Sequence, residues 1–448
     1  MRLLLLSFAI YPSISLLSQN FKTLYAFTDF SNGTNSDGGY PVSGVILIGN
    51  TLYGTTTAGG SGWAGTVYSV NTDGTAFQVV FAFRGWGPPG GAFVISDNIL
   101  YTTSVQPTSG GIDSGGSIIE VPIDGTSQFA INFYVFEPIF GDGTGPEGVI
   151  LSDSILYGVT RSGGQNAYGT VYAYDGSIVT NLYSFDGSGG ANPHGSLVLY
   201  NGTLYGVNRL GGSWGYGTVY ALNTDGSGFK TLHHFRGSSD GEGANPLSGL
   251  ILGGDTLFGS TSSGGAFSNG TIFSVSTNGT GFTTLHSFTG GGDGAKPGAV
   301  NLSGNMLYGT TAEGGAWGRG TVFALGTDGS GFTTLHSFNE VEGPPPPAKM
   351  VLSSNTLYGT TGWNGTKGSG TVFSIWLGDA PPQLTITPSG PNVVLSWPAN
   401  DNFFLQFTTN LDSAAVWTKV STGPVVIGGL DTVTNPMSGT QRFFRLSQ

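Results

Sequence analysis

The sequence predicts an all-β fold: a seven-bladed β-propeller of four-stranded blades, closed by its N-terminal strand, with a small C-terminal β-sandwich after it. Three observations carry that expectation. The motif "LYGTT" recurs seven times, exact or decayed, and its aromatic positions from Tyr53 to Tyr358 are 48, 56, 48, 53, 50 and 50 residues apart. Each copy sits among four short runs rich in β-branched and aromatic residues, joined by glycine turns, with no competing helical period. The chain also begins with the last piece of a unit: "FKTLYAF" (Phe21–Phe27) matches "FTTLHSF" at Phe282–Phe288 and at Phe332–Phe338.

Composition agrees with a packed repeat. Glycine makes up 79 of 448 residues, far above the usual ~7%. It is periodic, and aromatic residues reach 12%. Charged residues are only 9%, so Ser, Thr, Asn and Gly must form most of the surface. The formal net charge is −12, with no basic run, which argues against nucleic acid and anionic membranes as partners. The absence of cysteine excludes disulfides, thiolate nucleophiles and cysteine-ligated metal sites.

The N-terminal stretch, Met1-Arg2 followed by "LLLLSFAIYPSISLLSQ", reads as a secretory leader over 1–20. It is too short, and too broken by Pro12, for a membrane span. An ordinary N-terminal segment is the alternative. No later stretch is apolar and long enough to cross a bilayer.

Within each unit the order is constant. An apolar run such as "LSGLIL" (Leu247–Leu252) is the first strand and "TLYGTT" the second. A "GG" loop leads to the third, "GTV[YF]", beginning at Gly65, Gly169, Gly217, Gly270, Gly320 and Gly370, with Gly116 opening a degraded copy. An Asp-Gly or Asn-Gly hairpin then leads to the fourth. Four-stranded units of about 50 residues are propeller blades. The seventh unit stops at Ile375 without a fourth strand. Pairing Phe21–Phe27 beside Gly370–Ile375 completes it and closes the ring, which removes a bare sheet edge. A linear solenoid is the rival; it leaves an orphan strand at each end.

These residues, over about Phe21–Ile375, resemble the GloVer-type tandem repeats of exported bacterial proteins. The resemblance implies export and a surface or extracellular role, and brings no catalytic residues with it. Such proteins often end in a membrane-sorting tail; "FFRLSQ" does not match one.

The propeller is expected over 21–376 and a proline-containing linker over 377–382. Short strands without the "GG" motif over 383–448 are similar to a fibronectin type III or immunoglobulin-like sandwich, with Trp397 and Trp417 in its core.

In a propeller the loops joining strands two to three and blade to blade share one face. Trp63, Tyr168, Trp214, Tyr216, Phe267, Trp317 and Trp363 fall in the two-to-three loops, and Trp86 in a blade-to-blade loop. Exposed aromatic planes among few charges suit stacking on sugar rings; the alternative is that these rings plug gaps between blades. Exposure separates the two readings. The Asp-Gly acids Asp37, Asp142, Asp186, Asp240 and Asp293 read as turn stabilisers. His233, His286 and His336 share a column with Tyr25, Phe81, Tyr134 and Tyr183, so they read as inter-blade filler. His194 is the histidine that merits a test.

No nucleophile elbow and no H-E-x-x-H appear. No metal or cofactor is expected. The leading functional expectation is an exported, non-catalytic binding or surface-structural protein, above all one that recognises polysaccharide or a cell-surface glycan, with a monomer favoured. A carbohydrate-active lyase or hydrolase using loop acids such as Glu313, Glu340 and Glu342 is the second, and an assembly scaffold the third.

Overall fold

In the computed structural model, the residues described are 21–29, 35–84, 89–104, 115–124, 132–137, 141–238, 240–345, 348–363, 365, 367–377, 384–389, 392–398, 404–409, 418–420, 424–427, 430–436 and 443–447. The expected leader, Trp86 and Trp417 lie outside them. The chain divides into two compact units, Asn20–Trp376 and a smaller one containing Leu377–Gln448. The described residues form strands and no helix, so none of them forms a helix long and apolar enough to cross a membrane.

The described residues of the larger unit form seven successive antiparallel sheets, six of them meanders of adjacent strands and the last completed by the N-terminal strand. The fourth is typical: Ala191–Tyr200, Thr203–Leu210, Thr218–Asn223 and Lys230–His234. The third departs slightly, because its first strand is split into Thr144–Pro146 and Ile150–Ser152, both paired with Ile155–Ser162. The fifth carries an extra two-stranded piece, Gly243–Ala244 with Ser263–Gly264.

Local chemistry explains the meander. The first two strands meet in two-residue turns such as Asp97-Asn98 and Asp153-Ser154, where both residues have positive φ. That is the turn whose twist matches a hairpin, and Asp and Asn tolerate it best. The glycine of "LYGTT" has a steric role instead. A Cβ on Gly54, Gly158 or Gly206 would overlap the ring of Tyr68, Tyr172 or Tyr220, its neighbour on the third strand. The glycine is a slot that lets a large ring lie flat across the sheet.

Apolar contact runs from each sheet to the next. Leu100 and Ile119 of the second sheet pack on Val67 and Phe83 of the first, and Tyr220 and Leu222 of the fourth on Val171 and Phe185 of the third. The series returns to its start. Leu24, Phe27, Tyr358 and Val372 of the seventh sheet form one buried cluster with Val45, Leu52, Tyr68 and Val70 of the first. Phe21–Ala26 is the fourth strand of that seventh sheet, with Phe21 opposite Ile375 and Ala26 opposite Thr371.

Polar contacts repeat at the same junctions. The backbone N–H of the residue before a loop proline donates to the carbonyl just ahead of the preceding sheet's "GTV" strand. The pairs are Gly145 to Gly115 at 2.6 Å, Asn192 to Tyr168 at 2.8 Å, and Asn245 to Tyr216, Lys296 to Asn269 and Tyr40 to Ser369 at 2.9 Å. The proline ring then covers the "GTV" glycine, whose φ lies between 92° and 106°. A Cβ there would lie 2.5 to 2.8 Å from the proline Cδ, from Pro146 on Gly116 to Pro41 on Gly370. Only glycine meets both demands. The Tyr40–Ser369 member ties the last sheet to the first, as does Thr360, whose hydroxyl donates to the Ser43 carbonyl at 3.1 Å.

The histidine column packs between sheets: the His233 ring stacks on Phe282 at 3.6 Å and His286 on Phe332 at 4.0 Å. The sequence assigned Asp37, Asp142 and Asp293 to turns and Glu342 to a loop, did not single out Glu242, and paired none of them with these rings. His233 meets Glu242 at 3.1 Å, His286 meets Asp293 at 3.2 Å and His336 meets Glu342 at 3.0 Å, while Tyr25 and Tyr134 donate to Asp37 and Asp142 at 2.6 Å. So Asp37, Asp142 and Asp293 orient rings as well as turns.

Burial pushes the pKa of His233 and His286 below its usual value and outweighs the opposing pull of Glu242 and Asp293. Burial also opposes ionisation of Asp293, yet hydrogen bonds from Thr289 and His286 hold its carboxyl below the usual range. A neutral imidazole donating to a carboxylate satisfies both partners. The unfolded histidines take up protons near pH 6.5 and the folded ones only at lower pH, so stability falls as pH drops below about 6.5. Thermal melts should show that loss between pH 7.5 and 5.5. A His233→Phe/His286→Phe variant, carrying the residue type of Phe81, should lose less; an identical pH slope in both proteins contradicts the assignment.

Candidate functional site

The loops between second and third strands share one backbone form. The third-strand glycine donates to the first loop glycine, as in Gly65 to Gly59, Gly169 to Gly163 and Gly217 to Gly211. Two residues ahead of that third-strand glycine, Trp63, Ala167, Gly215, Ser268, Gly318 and Gly368 all have positive φ. The loops rest on the preceding blade-to-blade segments through bonds such as Gly60 to Asn35, Gly212 to Gly187 and Gly315 to Gly291. The two loop classes therefore gather at one end of the sheets.

Every described aromatic expected at this end is open to solvent. Trp63, Tyr168, Trp214, Tyr216, Phe267, Trp317 and Trp363 are 46 to 67% exposed, which does not fit gap-plugging. They do not share one register position. Trp214, Phe267 and Trp317 stand three residues before the third-strand glycine, Tyr168 and Tyr216 one before, and Trp63 two before. Trp363 precedes the "NG" that replaces the glycine pair. Tyr168 lies against Gly187 and Tyr216 against Gly237, so each ring has one face on backbone. The Arg236 guanidinium sits 5.8 Å from the Trp214 ring and that of Arg319 sits 5.7 Å from Trp363, positions suited to cation–π contact. Arg319 thereby links the sixth sheet to the seventh.

The loop acids are separately engaged. Glu313 pairs with Lys296 at 2.6 Å, Glu340 with Arg319 at 3.3 Å and Asp240 with Arg236 at 2.9 Å. Asp186 accepts from the backbone of Ser188 and Gly189. Sequence reasoning missed one polar cluster: buried Glu147 accepts from Arg161 of its own sheet and lies 3.6 Å from His194 Nε2 of the next. Burial lowers the His194 pKa, against the favourable field of Glu147. Among the described residues no three histidine or acidic side chains gather as a metal ligand set.

Comparison with known proteins agrees with the repeat architecture. Two overlapping stretches, 84–256 and 211–383, match the family described as "Gloeobacter/Verrucomicrobia repeat" and together exceed half the chain. The chain belongs to the Gloeobacter/Verrucomicrobia repeat family. No curated protein matches it. Among solved structures, an oligogalacturonate lyase in complex with manganese is 12% identical, with 80% of this chain and 96% of that chain covered and a TM-score of 0.51. BamB from Moraxella catarrhalis is 14% identical, with 78% and 85% covered and a TM-score of 0.43. A putative 6-phosphogluconolactonase from Bacteroides uniformis ATCC 8492 is 13% identical, with 89% and 98% covered and a TM-score of 0.42. The first likeness supports a propeller-like all-β fold for this member of the family.

Trp63 adopts φ 67°, where its counterparts Gly215, Gly318 and Gly368 carry no side chain. A bulky residue there costs about 1–2 kcal/mol, and glycine restores part of that as extra freedom in the unfolded chain. Trp63→Gly should therefore stabilise the protein by about 0.5–1 kcal/mol in denaturant titration. A loss of stability contradicts this and assigns the ring a packing role.

Proposed function

We propose that this family member is an exported seven-bladed propeller, closed by its N-terminal strand and followed by a small β-sandwich, that binds polysaccharide without transforming it. One observation carries the binding reading: seven exposed aromatic rings, contributed by six of the seven sheets, stand at one end of the sheets. Sugar rings present apolar C–H faces to such planes, and hydroxyls to the Ser, Asn and glycine backbone between them. Spread rings suit an extended chain of repeating units better than one small ligand. The proposed protein is a monomer, and its place is outside the cell, where such chains are found.

The sandwich reading rests on the smaller unit's two sheets. One includes Asn392–Pro398 and Leu430–Pro436, the other Phe404–Thr408 and Phe443–Ser447. Leu395, Trp397 and Val433 of one pack with Leu405 of the other. The alternative of a lyase or hydrolase has less support, because Glu313, Glu340 and Glu342 each already bind a separate basic partner.

Affinity electrophoresis in gels cast with neutral and acidic polysaccharides tests the binding. At least one polysaccharide should retard the native chain. Trp214→Ala and Trp317→Ala should each weaken retardation about tenfold, near 1.4 kcal/mol. A folded double variant retarded like the native protein removes the assignment.

A further inference from the structure

A cavity of about 460 Å³ lies between the second and third sheets. It opens beside the hairpins of their first two strands, so it sits at the far end of the strands from the aromatic loops. Tyr101 and Leu151 give it ring and apolar surface over the buried Leu156 and Tyr174, and Glu120, Asp97 and Asp153 bring carboxylates to it. Among the described residues no lysine or arginine lines it.

Two of these residues break the repeat. Glu120 pairs across the sheet with Tyr101. The corresponding partners elsewhere are Ser69, Ala173, Ala221, Ser274, Ala324 and Ser374. Tyr174 pairs with Leu156, where the other sheets have Val70, Val121, Leu222, Val275, Leu325 and Ile375. Packing of this fold requires neither an acid nor a phenol at those places, since six sheets do without each. Both departures face one cavity.

The acids are also under-used. Glu120 is half-buried and makes no hydrogen bond or ion pair among the described residues, and burial pushes its pKa up. Asp97 accepts from its neighbour Ser96 at 3.2 Å and Asp153 from Ser152 at 3.4 Å. A partly desolvated carboxylate without a partner is costly, and a bound cation offsets that cost.

We propose that this cavity binds a small organic cation whose protonated amine pairs with Glu120 and whose body lies against Tyr101, above the buried Tyr174. A tyrosine face beside a carboxylate recognises ammonium groups. The carboxylates do not converge as a metal ligand set would, and the volume is that of a small-molecule site. The proposal is independent of polysaccharide binding at the other end of the strands.

Calorimetric titration of the full chain with cyclohexylamine, glucosamine and 1,5-diaminopentane, against cyclohexanol, glucose and 1,5-pentanediol, tests it. At least one amine should bind, with its neutral counterpart at least tenfold weaker. Glu120→Ala, which installs the residue of Ala221, should fold normally and lose tenfold or more; Tyr101→Leu should weaken binding and leave polysaccharide retardation unchanged. The proposal is overturned if no amine binds, if Glu120→Ala binds as tightly as the native protein, or if calcium binds and the amines do not.

Discussion

The junction between neighbouring sheets is the constraint on which the rest of the larger unit depends. A four-stranded meander buries little by itself and has two open edges and two apolar faces. Among the described residues, five of the junctions have a proline lying on a glycine that must hold a left-handed conformation. Beside it, a backbone bond of 2.6 to 2.9 Å crosses the junction. Directional bonds of this kind set how far one sheet turns from its neighbour, which apolar contact alone leaves loose. The same device joins Pro41 to Gly370, so the last sheet is held to the first as the second is to the third, the third to the fourth, the fourth to the fifth and the fifth to the sixth.

Much of this was legible in the sequence, because repetition amplifies weak signals. One "LYG" means little, but its recurrence with a trailing "GTV" fixes strand order, and the stray Phe21–Phe27 copy specifies its own partner. What stayed hidden was variable in spacing. The acids that hold the ring column follow their rings by 12 residues at Asp37, 8 at Asp142, 9 at Glu242, 7 at Asp293 and 6 at Glu342. No fixed-offset pattern finds them, since the loops differ in length while the bond in space is the same. The loop aromatics were found as residue types, but their four register positions required the backbone. Glu147 and His194 belong to different sheets, and Glu120 is conspicuous only once six aligned partners are set beside it.

The two ends of the sheets divide the labour that a repeat fold permits. At one end glycine loops hold rings in solvent, Trp63 among them in a left-handed conformation that Gly215, Gly318 and Gly368 adopt without a side chain. At the other, tight turns leave little room for chemistry, and the second and third sheets bring Glu120 and Tyr174, both departures from the repeat, to one cavity there. Departures from the repeat mark places where something beyond packing selected the side chain, because packing is already solved by the other copies.

The most direct test of the junction is to compare two glycine-to-alanine changes by equilibrium denaturation. Gly215 has φ 80° and open space around it, whereas a methyl on Gly370, at φ 92°, would lie against the Thr361 carbonyl and 2.7 Å from Pro41 Cδ. Both changes cost about 1–2 kcal/mol of left-handed strain. Gly370→Ala should cost at least ~2 kcal/mol more, because overpacking a fixed junction displaces both sheets. Equal losses in the two variants would show that the proline–glycine contact does not hold the last sheet to the first.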